Sequence, residues 1–280
     1  MNLENLQDHL SYLSYAFRTL TTEEQMKLVH SLTVLQRMQR LDAVYFLGRL
    51  EGCEADYMLA FGCPDKDIFH DRKLFYSLDL TDWYQLLEPK NWSSNWDQVQ
   101  CSFRGDPAFR VEEDLGPSYT LDEDLVPVVE ERIRPKMKEQ NRLWFVISRI
   151  LEEAAIVPRG VLYHCTEGRS VVNPFFRGIS VNDSLKLHNY HHFRKPIGEP
   201  QENLLKRDDC SYFLDVFDPV DDLIPAEQSF AVTRDLQRDV FVMKSLHWPG
   251  MLNFHRSNSN VYGFFYFGDG RKNWDLLFKI

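Results

Sequence analysis

Tyr262-Gly263-Phe264-Phe265-Tyr266-Phe267-Gly268-Asp269-Gly270 decides how this chain folds. Five aromatics fall within six residues, and a Gly-x-Gly turn closes the run. The chain as a whole is polar, with a mean hydropathy of −0.40, so a segment this apolar needs an explanation. Strand alternation sets Tyr262, Phe264 and Tyr266 on one face and Phe265 and Phe267 on the other. Both faces are apolar, so the strand requires two covers. One is the chain's own core, and the second is open to a partner. With Trp248 before the run and Trp274 after it, the candidate partner interface is Trp248, Tyr262, Phe264, Phe265, Tyr266, Phe267 and Trp274.

Strand patterns accompany this run at both ends of the chain. Phe230 to Thr233 and Val240 to Leu246 precede it. Val44–Leu50 and Ala55–Gly62 flank Glu51-Gly52-Cys53-Glu54 and read as a hairpin, with Lys73–Leu78 as a third antiparallel strand. Asp79 to Leu87 reads as a short helix or turn anchored by Trp83. Val161–His164 and Ser170–Asn173 are shorter strands, and Ser180 to Asp183 could cap a brief helix through Leu187.

Helical spacing appears in two places. Leu3, Leu6, Leu10, Leu13, Phe17 and Leu20 form an amphipathic stripe, and Thr21-x-x-Glu24 is a capping box opening a second helix through Leu28, Leu32 and Leu35. Val129, Ile133, Met137, Gln140, Trp144, Ile147 and Leu151 keep the period over a longer span. Pro135 lies inside it, so that helix starts near the proline or kinks there. The expectation is an α+β fold: a mainly antiparallel sheet packed with a long central helix and an N-terminal helical pair. No composition break divides the chain. Residues 1–280 read as one domain, with 1–40 a helical lead-in and 41–280 an α+β body.

At 280 residues, 44% hydrophobic and 26% charged, the composition is that of a soluble globular protein. A formal net charge of −10 argues against a nucleic-acid partner. No run reaches the roughly 18 apolar residues of a membrane span, and no targeting segment is visible, so an intracellular protein is expected. The five cysteines (Cys53, Cys63, Cys101, Cys165, Cys210) are scattered and fit reduced thiols. Acids crowd two stretches, 112–131 and 215–227. Both read as solvated surface, facing away from any assembly because unpaired carboxylates are costly to desolvate.

Chemistry is sparse. His188-x-x-His191-His192 is the candidate metal set, since imidazoles three or four apart on a helix share one face. A surface histidine cluster is the plainer reading, and a metal-dependent enzyme built on these three residues is the alternative. Gly268-x-Gly270-x-Lys272 lacks the following Ser or Thr and the helix of a phosphate loop. No nucleophile elbow is present, and His164-Cys165 carries no mark of an activated pair. No catalytic residue and no cofactor is expected.

Trp248-Pro249-Gly250 and the run Tyr262-Gly263-x-x-Tyr266-x-Gly268-x-Gly270-x-Lys272-Asn273-x-Asp275-Leu276 resemble the radial spoke head protein 9 family. So do, in order, Phe46-x-Gly48-Arg49, Ala55-Asp56-Tyr57, Leu74-x-Tyr76-Ser77-Leu78, Gly105-Asp106-Pro107, Ile156-Val157-Pro158-Arg159-Gly160 and His192-Phe193-Arg194. The resemblance covers nearly the whole length. Leu277 departs from it, standing where proline is expected. What the resemblance implies is a non-catalytic structural subunit of the radial spoke head, in the axoneme of motile cilia and flagella. Implied partners are spoke head proteins 4 and 6, with the central pair apparatus reached indirectly and dynein regulated through that relay. An acidic binding module of another cytoskeletal complex is the remaining alternative.

Overall fold

Two antiparallel meanders, one from each end of the chain, meet edge to edge in an eight-stranded sheet. The computed structural model describes residues 1–90, 96, 99, 101–112, 118–121, 127–130, 136–220 and 229–275. The first meander is β1 (Ala43–Leu50), β2 (Tyr57–Cys63), β3 (Lys73–Ser77) and β4 (Tyr84–Leu86). Four short strands follow, β5 (Arg110–Glu112), β6 (Ser118–Leu121), β7 (Pro127–Glu130) and β8 (Lys136–Lys138), pairing β5 with β8 and β6 with β7. Next come β9 (Ile156–Pro158), β10 (Leu162–His164), β11 (Ser170–Val172) and β12 (Tyr190–His192). The second meander is β13 (Phe230–Asp235), β14 (Val240–Ser245), β15 (Met251–Arg256) and β16 (Tyr262–Gly268).

The sheet runs β13-β14-β15-β16-β1-β2-β3-β4. Every neighbour in it is antiparallel except β1 and β16, which run parallel with Gly48 opposite Tyr266. The expected antiparallel sheet is therefore present, with a parallel seam at its centre. A bulge falls in β1 between Phe46 and Gly48, where Gly48 adopts φ +139°. Only glycine takes that conformation readily, and a bulge adds local twist.

Four α-helices complete the described chain: α1 (Leu6–His9), α2 (Thr22–Met38), α3 (Glu139–Glu153) and α4 (Pro200–Leu205). The capping box forms as read: Thr21 Oγ1 accepts from the Glu24 N–H at 3.2 Å, and Glu24 accepts from the Thr21 N–H at 2.7 Å. The first expected helix is instead one α turn between 3₁₀ segments, Leu3–Asn5 and Leu10–Ala16. Leu10 and Leu13, both buried, are three apart, a spacing that stacks on a 3₁₀ helix as well as on an α-helix. Phe17 then ends the segment in the left-handed region at φ 57°.

The long central helix is not found. Val129 belongs to β7 and Met137 to β8, and α3 has 15 residues, fewer than the 17 of α2. It starts at Glu139, directly after β8. Apolar residues four apart also fit two short strands, and Val128-Val129 favours extended backbone. Asp79 to Leu87 is a turn running into β4, with Trp83 anchored as expected through an Nε1–H donated to Ser31 Oγ at 2.9 Å.

Each face of the sheet has its own core. Val44, Phe46, Phe75, Leu252, Phe254, Phe265 and Phe267 pack with the N-terminal segment and α2 through Leu6, Leu13, Leu28 and Leu32. Tyr45, Phe61, Tyr76, Phe264 and Tyr266 pack with α3 through Leu143, Ile147 and Ile150, and with Phe193 and Phe217. The amine of Met1 sits over the seam and donates to the carbonyl oxygens of Phe46 at 2.8 Å and Phe264 at 3.2 Å. Burial pushes that amine down to about 5.

The side chains of every acid from Glu112 to Glu131, and those of Asp221 and Asp222, lie outside the described residues. Asp215 and Asp218 are described, and neither is solvated: both are buried.

Candidate interaction surface

The chain supplies both covers of the aromatic strand. Phe264, Phe265, Tyr266 and Phe267 are all buried, Tyr266 completely. Phe264 contacts Phe193 at 5.1 Å between centroids, and Phe265 contacts Phe267 at 5.9 Å and Phe254 at 6.1 Å. Full burial of such a ring contributes about 1.5–3 kcal/mol. Tyr262 is half-buried against the α3-side core, in edge contact with Phe176 at 5.8 Å. Tyr266 Oη accepts from the N–H of Gly270 at 2.8 Å, which pulls the Gly-x-Gly turn back under the sheet. Gly270 has φ +75°, and a Cβ there would strike the Phe103 ring.

Trp248 and Trp274 belong to a clasp between the sheet and α3. Trp248 is buried and donates its Nε1–H to Glu153 Oε2 at 2.8 Å. Lys272 Nζ reaches the same oxygen at 2.8 Å and lies 4.6 Å from the Trp274 ring centroid. The Asn273 N–H donates to His247 O at 2.7 Å, and its Nδ2 donates to Leu246 O at 3.2 Å. Trp-Pro-Gly and Lys-Asn-Trp are thereby closed into one ring by a carboxylate from α3. Trp274 is the member of the candidate set left 54% exposed. Leu276 and Leu277 lie outside the described residues.

The three histidines are not a surface cluster. His188 is half-buried in the 3₁₀ turn Leu187–Asn189, while His191 and His192 are 2% and 1% exposed on β12. Neighbours on a strand point to opposite faces, so the helical face that would have joined all three does not exist. Burial depresses His191 to about 4 and His192 to about 3. Among the described residues no group of three His, Cys, Asp or Glu side chains is placed to hold a metal ion. His164 turns towards Ser170 Oγ at 3.4 Å rather than towards Cys165, and none of the five cysteines is in a disulfide.

Several charged groups act as internal ties. Asp215 accepts from Arg159 Nε at 2.6 Å and Nη2 at 2.8 Å, and from the Ser211 N–H at 2.6 Å. Burial alone would raise its pKa, but these donors together hold it below the ordinary carboxylate range. Asp218 accepts from the N–H groups of Ile197 at 2.9 Å and Gly198 at 3.2 Å, and pairs with Arg194 at 3.2 Å. Glu139 opens α3 fully buried, and gathers the Tyr57 hydroxyl at 2.7 Å and the N–H groups of Arg104 and Gly105 at 2.8 Å each. Gly105-Asp106-Pro107 is thus a cradle for a buried carboxylate, and Ile156-Val157-Pro158-Arg159-Gly160 delivers the cation that Asp215 needs. No sequence periodicity signals either tie, because the partners are far apart in the chain. No described helix is long and apolar enough to cross a membrane.

Three relatives align with the chain along nearly its full length. It is 34% identical to the radial spoke head protein 9 homolog of Homo sapiens and 33% identical to that of Bos taurus, over 100% of each chain. Identity to the Danio rerio homolog is 31%, over 94% of both. No protein-family model matches. Identity above 30% over 94–100% of each chain places this chain in the radial spoke head protein 9 family.

Proposed function

We propose that this chain is a non-catalytic structural subunit of the radial spoke head, working in the axoneme of motile cilia or flagella. The observation that carries the reading is the end-to-end similarity to relatives named for that assembly. The placement of the residues that carry the resemblance supports it: Gly48, Gly105, Arg159, Trp248 and Lys272 all serve packing or internal pairing rather than lining a common cleft. Residues that maintain shape in this way suit a scaffold role.

Spoke head proteins 4 and 6 are the proposed partners, and the relay to the central pair and to dynein follows from that position. We place the partner contact at the exposed end of the clasp, on Trp274, with Trp248, Tyr262, Phe264, Phe265, Tyr266 and Phe267 holding the platform behind it. Residues 1–280 are proposed to fold as one unit, since both ends contribute strands to one sheet. The test is to express the chain, tagged near its C-terminus, in motile ciliated cells lacking their own radial spoke head protein 9 homolog. Axonemal signal with recovered beating is the expected outcome, and a diffuse cytosolic signal with no recovery would sink the proposal.

A further inference from the structure

A cleft of about 410 Å³ opens between α3, the start of β3 and the segment 194–197, and its charge is opposite to that of the chain. Arg72, Arg194 and Lys195 line it, against the single carboxylate of Glu152. The formal net charge of the whole chain is −10, so a cationic cleft is a local inversion. Arg72 is its distinctive element. Its guanidinium is packed among the rings of Phe61, Phe69 and Phe193, with centroids 5.1, 5.4 and 5.0 Å away. Its Nη2 donates to the carbonyl oxygens of Ile68 at 3.3 Å and Phe193 at 3.5 Å, and the guanidinium also meets the buried Cys63 thiol, a neutral partner.

No carboxylate among the described residues forms an ion pair with Arg72. Glu152 is the acid that acts on it at a distance, and Glu152 is itself drawn to Arg149 at 3.6 Å. Burial holds the Arg72 cation below its ordinary pKa, the sign of a charge desolvated without full compensation. Arg194 is occupied by Asp218 at 3.2 Å. Lys195 is exposed and makes no ion pair among the described residues. Beside these charges lie Trp144, half-buried, and Ile197, 76% exposed.

We propose that this cleft docks a carboxylate side chain from an acidic segment of a partner protein, with an apolar residue of that segment packed against Trp144 and Ile197. Charge complementarity selects the occupant. An acidic segment is repelled by most of this surface and admitted where Arg72 and Lys195 lack counter-charges. The aromatic stack holds the Arg72 guanidinium in place beforehand, so little side-chain entropy is lost when a carboxylate arrives. The inference is independent of the spoke-head assignment, because it rests on the cleft alone.

The test uses the purified full-length chain and a fluorescein-labelled peptide alternating Glu and Leu, with a matched Gln and Leu peptide, read by fluorescence anisotropy. The Glu peptide should bind at least about tenfold tighter than the Gln peptide, and Lys195→Glu should weaken it by about tenfold or more. Lys186→Glu, an exposed change of equal charge outside the cleft, should leave binding within about twofold. Arg72→Met is the sharper variant but removes a packed side chain, so Lys195→Glu keeps the outcome decisive if Arg72→Met fails to fold. Equal binding of the two peptides, equal effects of Lys195→Glu and Lys186→Glu, or full displacement of the peptide by inorganic phosphate would each overturn the proposal. The last result would identify a small-anion site instead.

Discussion

Gly48 and Tyr266 face each other across the parallel seam so closely that a Cβ on Gly48 would overlap the carbonyl oxygen of Tyr266. The seam joins the two meanders, so this contact ties the first strand of the chain to the last. Gly48 also carries φ +139°, which strains any other residue. Gly48→Ala should therefore cost about 3 kcal/mol or more, through backbone strain and separation of the seam. A fall in the urea midpoint of unfolding checks this, and an unchanged midpoint would mean that β1 and β16 do not pair as described.

The Arg159–Asp215 pair makes a second test. Asp215 has a side chain 1% exposed and Arg159 one that is 18% exposed. Removing either partner leaves a desolvated charge, so Arg159→Met or Asp215→Asn should each destabilise by about 3–5 kcal/mol. Replacing both together should cost less than the sum of the single changes. A double-mutant cycle measured by denaturant unfolding reads this directly, and additive costs would show that the two charges do not depend on each other.

The strands with regular alternation were legible, and the aromatic run fixed the most important of them. Local chemistry was legible too, as in the Thr21–Glu24 capping box. β15 was not, because Asn253 and His255 interrupt its apolar pattern while being fully buried. Asn253 earns its place through distant groups, accepting from the Ile156 N–H at 2.9 Å and donating to Ala154 O at 3.1 Å. Asp215 and Asp218 misled for the same reason, since their cations arrive from elsewhere in the chain. In the candidate interface, alternation assigned the two faces of β16 correctly, but it could not say that the N-terminal segment covers one of them. A cover made of 3₁₀ turns around Leu10 and Leu13 has a weaker signature than a regular helix.

Four buried imidazoles set the response to acid. Burial lowers His9, His191 and His255 to about 4 and His192 to about 3. An unfolded histidine titrates near about 6.5, so as the pH falls the unfolded chain takes up these protons first. The stability associated with them is complete above about pH 6.5 and is lost progressively towards about pH 4. Asp215, depressed rather than raised, adds its loss only at lower pH, through the carboxylate range. His255→Phe, between the rings of Phe176 and Tyr190, should flatten the pH dependence by as much as about 3 kcal/mol across that window. Urea midpoints measured across this window test it, and a slope identical to that of the unaltered chain would show that His255 is not held neutral.

Trp274 and Phe265 are the exposed and the buried extremes of the aromatic set. Trp274 is 54% exposed and carries the Lys272 ammonium over its ring, so Trp274→Ala should cost no more than about 1 kcal/mol of stability. Phe265 is 1% exposed within the core over α2, and with Phe267 it lies in a cluster that the N-terminal segment closes. Each Phe→Ser change there removes a buried ring and adds a hydroxyl, at about 3–5 kcal/mol apiece. Two such losses approach the whole stability of about 5–15 kcal/mol expected for a folded domain. The double variant should therefore yield little soluble protein, whereas Trp274→Ala should remain folded and co-purify less with spoke head proteins 4 and 6. Soluble, monomeric Phe265→Ser/Phe267→Ser that has lost only its partners would return the interface to the strand itself. Undiminished co-purification of Trp274→Ala would remove the partner contact from the clasp.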